Sequence, residues 1–201
     1  CNTASAKALR TIQQKDLPLI APNNRVLGVI RPSTEVLGER TKTGHVGVLG
    51  TIGTIASQSF PIELSKFAPD TVVHQHACPM WVPLIENQQH EHPAGQQFIY
   101  EDVQAILAQS SEIDTLLLAC THYPVLQQQI EMLVGPTIQV VPQGPIVAEK
   151  LESYLFAHPE MEARLSKNGS VAYFTSEATA VFNERAKSFL GDQVNSVHHS
   201  F

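Results

Sequence analysis

The chain has 201 residues, 43% hydrophobic and 16% charged, with a formal charge of -6 at pH 7. That is ordinary globular composition for one domain or two small ones. It excludes a membrane-spanning helix, because no apolar run approaches the roughly 18 residues one needs, and the acidic balance without a Lys/Arg cluster excludes a nucleic-acid surface. No segment has the basic start, apolar middle and small-residue cleavage site of a secretory leader. Three cysteines (Cys1, Cys78 and Cys120) lack the close paired spacing of a disulfide framework or zinc ribbon. Reduced thiols in a cytoplasmic protein are the expectation. The chain opens on Cys1 rather than Met, already inside a motif, so a fragment or processed chain is expected.

Short apolar segments alternate with longer amphipathic ones along the whole chain. In order, the patterns predict a helix over Ser5–Gln14, a strand over Val26–Ile30, a helix over Ser33–Arg40 and a strand over Val46–Leu49. A helical pattern follows over Thr54–Phe67, broken near Ser59 by Pro61, then a strand over Thr71–His74. The polar stretch Asn87–Gly95 reads as an exposed loop. A helix over Phe98–Ala108, a strand over Thr115–Ala119 and a helix over Val125–Val134 come next. The chain closes with a strand over Ile138–Val141, a helix over Ile146–Phe156, a strand over Val171–Phe174 and a helix over Ala178–Phe189. Gly and Pro mark the joints, as at Pro22, Gly44 and Gly135-Pro136. Strands this short and this continuously apolar are covered on both faces, so an α/β fold with a parallel sheet is predicted. Ligands in such sheets sit beyond the carboxyl ends of the strands.

Two cysteines fall where that rule points. Cys1-Asn2-Thr3-Ala4-Ser5-Ala6 precedes an amphipathic helix, and Leu118-Ala119-Cys120-Thr121-His122-Tyr123-Pro124 joins a predicted strand to the amphipathic helix that follows it. A helix start offers unpaired N–H groups and a positive dipole end, expected here to hold a substrate carboxylate and lower a nearby thiol pKa. Two like groups facing each other across a cleft suit racemisation, where one removes an α-proton and the other returns one to the opposite face. A lone buried cysteine is commonly a small hydrophobe, which describes Cys78, with no adjacent base. His90-Glu91-His92 lies in a polar loop and is not read as a metal site; no metal and no cofactor are expected. His45, His74 and His76 are set aside with the remaining histidines.

These two cysteine clusters resemble the paired signatures of the glutamate racemases, within the aspartate/glutamate racemase superfamily. Gly50-Thr51-Ile52-Gly53-Thr54 is similar to that family's glycine-threonine segment. Ala77-Cys78-Pro79-Met80-Trp81-Val82-Pro83-Leu84-Ile85-Glu86 is similar to its cysteine-proline run ending in glutamate. All four occur in the family's order, and the likeness weakens after about Pro142. The resemblance implies Cys1 and Cys120 as the two acid/base thiols, His122 assisting Cys120, and Glu86 as the carboxylate beside them. Asn2, Thr3, Thr54 and Thr121 would hold the carboxylate and ammonium groups of the substrate.

The implied architecture is two similar parallel-sheet α/β domains with the active site in the cleft between them. Residues 23–134 would form one domain, and residues 1–22 with 135–201 the remnants of the other, which is incomplete here. The family's opening strand and aspartate-serine-glycine loop have no counterpart, and Val140-Val141-Pro142-Gln143-Gly144-Pro145 lacks the expected aspartate- or asparagine-serine-glycine pattern. The implied activity is cofactor-independent interconversion of L- and D-glutamate for peptidoglycan, in the cytoplasm, with glutamate as the small-molecule partner and room for a homodimer. An aspartate or hydantoin racemase of the same superfamily, or an inactive truncated chain, are the competing readings. Thiol-disulfide exchange lacks a Cys-x-x-Cys.

Overall fold

A computed structural model describes residues 1–191 and 193–200. The first elements are helix α1 (Asn2–Lys7), further helical turns through Leu17–Ile20, α2 (Ile30–Arg40) and β1 (His45–Gly50). Then come α3 (Ile52–Ala56), α4 (Ser59–Leu64), β2 (Val72–Ala77), α5 (Trp81–Glu86), α6 (Pro93–Leu107) and β3 (Thr115–Ala119). A 3-10 turn at Tyr123–Leu126 leads to α7 (Gln127–Val134), β4 (Gln139–Pro142) and α8 (Gln143–Ala157). Residues 1–154 form one compact unit and residues 155–201 a second. The second holds a parallel pair of strands, β5 (Tyr173–Thr175) and β6 (Ser196–His198), joined through α9 (Thr179–Leu190). Among the described residues no helix is long and apolar enough to cross a membrane.

The larger unit is the predicted α/β arrangement. Its four strands are parallel in the order β2-β1-β3-β4, with Val46 beside both Val73 and Thr115, and Leu116 beside Val140. Every residue of β3 is buried, because side chains leave a strand alternately toward two covered faces. Leu116 and Leu118 join a cluster with Trp81, Ile85, Ile99, Val103, Ile106 and Tyr123. Leu117 and Ala119 join the other, with Ile30, Leu37, Phe60, Leu64 and Ile146. Gly47 makes the crowding visible: a Cβ there would lie 2.4 Å from Leu116 Cδ2. The last strand of this sheet, β4, comes from beyond Val134.

Several sequence expectations change. Val26–Ile30 is not a strand; residues 24–29 run irregularly and Ile30 opens α2. Side chains take up its backbone groups instead of a neighbouring strand: Gln13 Nε2 donates to Val26 O at 2.7 Å, and Val29 N donates to Ser5 Oγ at 3.3 Å. The helical pattern over 54–67 is interrupted where Pro61 implied, with Gln58 left-handed (φ 55) between α3 and α4. The end of the polar stretch is helical, since Pro93 starts α6 and His92 Nδ1 accepts from Ala94 N at 3.3 Å. The run Trp81–Glu86 is helical despite Pro83, because Trp81 and Ile85 are four residues apart and both buried.

Candidate active site

The carboxyl ends of β1 and β3 and the start of α1 gather most of the expected residues. Cys120 follows β3 directly and is 8% exposed. Its Sγ lies 3.9 Å from His122 Nδ1, and His122 Nε2 lies 3.1 Å from Glu86 Oε1 at the end of α5. An ionised carboxylate only accepts, so it holds the imidazole with the proton on Nε2 and leaves the Nδ1 lone pair facing the thiol. The line is held from below by Tyr123, fully buried, whose hydroxyl donates to Cys78 O at 3.1 Å and whose ring lies 4.8 Å from that of Trp81. The cysteine-proline segment and the cysteine-threonine-histidine segment are thus clamped together by one tyrosine.

Burial pushes the Cys120 thiol up, while the amides of His122, Tyr123 and Thr121 pull it down. The net direction is upward, against the expectation from a helix start alone. The reason is the apolar packing around Cys120, which disfavours thiolate more than the amide dipoles favour it. The group beside this thiol is the His122 ring, whose Nδ1 lies 3.9 Å from Sγ.

Cys1 is exposed and precedes α1, its carbonyl accepting from Ser5 N at 3.0 Å. The next two residues face inward. Thr3 Oγ1 lies 2.9 Å from Thr51 Oγ1 and 3.2 Å from Thr54 Oγ1, and the last two are 3.0 Å apart, a triangle of hydroxyls. Thr51 also caps α3, accepting from Thr54 N at 3.3 Å. Gly53 allows this approach, because a Cβ there would meet Thr3 Cγ2 at 3.0 Å. Asn2 is 2% exposed; its Nδ2 donates to Gln143 Oε1 at 2.5 Å, and its Oδ1 has no partner among the described residues. Gln143 in turn donates to Ser33 Oγ at 2.8 Å and to Val29 O at 3.3 Å.

The structure thus groups Cys120, His122 and Glu86 on one side, and Asn2, Thr3 and Thr54 on another. Thr121 is exposed beside Cys120. Thr51 and Gln143 were not singled out from the sequence. Thr51 stood inside a motif already noted, so its signal was available. Gln143 had none except its place in a segment that departs from the family pattern.

A scan against models of known protein families finds none that matches. The glutamate racemase of Streptococcus suis is 32% identical to this chain over 199 residues, 98% of the chain and 72% of that protein. The chain belongs to the glutamate racemase family. The glutamate racemase of Shouchella clausii is 36% identical over 202 residues, covering 98% of the chain and 69% of its relative. Among solved structures, the glutamate racemase isoform RacE1 of Bacillus anthracis matches the whole chain with a TM-score of 0.86 at 29% identity, over 72% of its own length. The glutamate racemase of Francisella tularensis, solved in complex with D-glutamate, matches it with a TM-score of 0.79 over 70% of its length; at 23% identity it speaks for the fold alone. The α/β fold with a parallel sheet, read from the alternation of segments, is therefore that of the family.

Proposed function

We propose that this chain interconverts L- and D-glutamate by two-thiol proton transfer at the α-carbon, without a cofactor, supplying D-glutamate for peptidoglycan in the cytoplasm. The observation that carries it is the Cys120–His122–Glu86 line at the carboxyl end of β3, beside the end of β1, where Thr51 and Thr54 meet Thr3, two residues after Cys1. In one direction Cys1 thiolate removes the α-proton and Cys120 thiol delivers its proton to the opposite face; in the other, the roles exchange. His122 Nδ1 takes the proton from Cys120 when that thiol must act as base, and Glu86 stabilises the imidazolium so formed. The buried Cys120 needs this help.

The carbanionic charge must be held in place, since each unit of acidity mismatch between α-proton and thiol costs about 1.36 kcal/mol. Donors fixed before the reaction supply that stabilisation: the Thr3 and Thr54 hydroxyls, Thr121 and the Asn2 amide. The Asn2 carbonyl oxygen accepts from the substrate ammonium. The division into residues 23–134 and residues 1–22 with 135–201 belongs to this proposal, with β4 lent to the sheet of the first. So does a homodimer.

The test is incubation with L-glutamate in deuterated water, following optical rotation and deuterium uptake at the α-carbon, beside Cys1→Ser and Cys120→Ser. Racemisation with uptake, reduced about a thousandfold or more in each variant, is expected. Turnover of aspartate or a hydantoin in preference to glutamate would move the substrate assignment. Full activity in either variant would refute the two-thiol mechanism.

A further inference from the structure

Outside this site the face of β2 toward α6 is polar where the rest of the sheet is apolar. Residues two apart on a strand share a face, so His74, His76 and Cys78 form a row along the edge strand, with α6 packed over it. His74 is engaged with His45, at 3.1 Å between ring nitrogens. His76 Nε2 lies 2.7 Å from Asp102 Oδ1 on α6. Cys78 adds its sulfur, and one ligand atom from each of His76, Cys78 and Asp102 lies within 4.8 Å of the others.

We infer that His76, Cys78 and Asp102 form a site for a divalent transition-metal ion, zinc by preference. An imidazole nitrogen, a thiolate sulfur and a carboxylate oxygen are a mixed donor set that suits zinc better than calcium or magnesium. Three ligands around a tetrahedral ion stand roughly 3.3 to 3.7 Å apart, which small side-chain rotations reach from this spacing. Charge agrees as well. One thiolate, one carboxylate and a neutral imidazole cancel a 2+ ion, so the cluster adds no net charge to a largely covered place. Cys78 is 1% exposed, while the side chains of His76 and Asp102 are 26% and 18% exposed, so the site has a closed floor and an open side for entry and a fourth ligand. The backbone supports the floor, because Cys78 N continues the ladder to Gly50 O at 2.9 Å. The ion would tie the exposed edge of the sheet to α6, apart from the thiol chemistry and independent of the racemase proposal.

The test is a Co2+ titration of the full chain under reducing conditions, read by absorption, with Zn2+ as competitor. A thiolate-to-cobalt charge-transfer band with tetrahedral d–d bands, saturating at one ion per chain and displaced by Zn2+, is expected. His76→Asn and Asp102→Asn change partly exposed side chains and should each weaken binding by about tenfold or more. Cys78→Ser should remove the charge-transfer band, and Cys1→Ser with Cys120→Ser should retain it. No band at millimolar Co2+ would overturn the site. So would a band indifferent to His76→Asn and Asp102→Asn, or one lost on Cys120→Ser, whatever the folding of Cys78→Ser.

Discussion

The two thiols of the proposed pair occupy opposite environments. Cys120 is buried at the end of a strand that is itself wholly buried, and a histidine and a glutamate stand in line behind it. Cys1 is exposed before a six-residue helix, and its neighbours Asn2 and Thr3 make the contacts that it does not. A thiol in apolar packing gives up its proton reluctantly, so the protein surrounds it with a base and three amides. Symmetric chemistry is thus distributed over an asymmetric structure, and the two arms should fail in different ways.

The largest effect should come from dismantling the supported arm. His122→Asn keeps a polar side chain but cannot carry the proton, and should lower kcat about a hundredfold. Glu86→Gln removes the charge that orients the ring, with a loss of about 10- to 100-fold. Steady-state kinetics in both directions measure the asymmetry. The larger loss of kcat is expected in the direction where Cys120 is the base, with KM changing to match because kcat/KM must fall equally both ways, and equal losses of kcat would contradict the roles assigned here. An intermediate effect is chemical. Iodoacetamide followed by peptide mass spectrometry should modify Cys1 well before Cys120 or Cys78, and labelling of Cys120 at an equal rate would erase the contrast.

The smallest effect concerns what anchors the buried arm. Asp114 precedes β3 and accepts from Thr41 Oγ1 at 2.6 Å, Lys42 N at 2.7 Å, Thr43 N at 3.0 Å and Thr115 Oγ1 at 2.9 Å. Burial pushes its carboxyl up, but these four donors outweigh burial and hold it at about 2. Because the folded value lies below the unfolded one of about 3.9, its stabilisation is present above pH 4 and is lost as the pH falls through 2. Asp114→Asn should therefore cost about 1 to 2 kcal/mol at pH 6, a figure lowered for the part of the carboxyl left in water. Urea melts should show the difference shrinking toward zero near pH 2, and a constant difference would show that the hydrogen bonds matter without the charge.

The same contrast explains how far the sequence could be read. Thr115–Ala119 announces itself, since five consecutive residues that are all buried leave an unbroken apolar run. Val26–Ile30 looks like the same signal and is not a strand. Side chains from the helical turns at the start of the chain hold its backbone while Leu27 is exposed, and no periodicity reveals which partner an apolar run will find. Trp81–Glu86 was legible as a motif but not as a helix, being short and carrying Pro83 near its start.

Spacing and residue type alone determined the alternation that gives a parallel α/β sheet, the break at Pro61, and the two cysteine clusters with their hydroxylated neighbours. Those are local properties: backbone preference and side-chain chemistry within a few residues. Only the tertiary structure decided that burial raises the Cys120 thiol, that Asn2 meets Gln143 across 141 positions, and that His76 and Cys78 face Asp102. Each depends on which surfaces are excluded from water and which distant elements share a face, and a linear chain encodes that only through its folding.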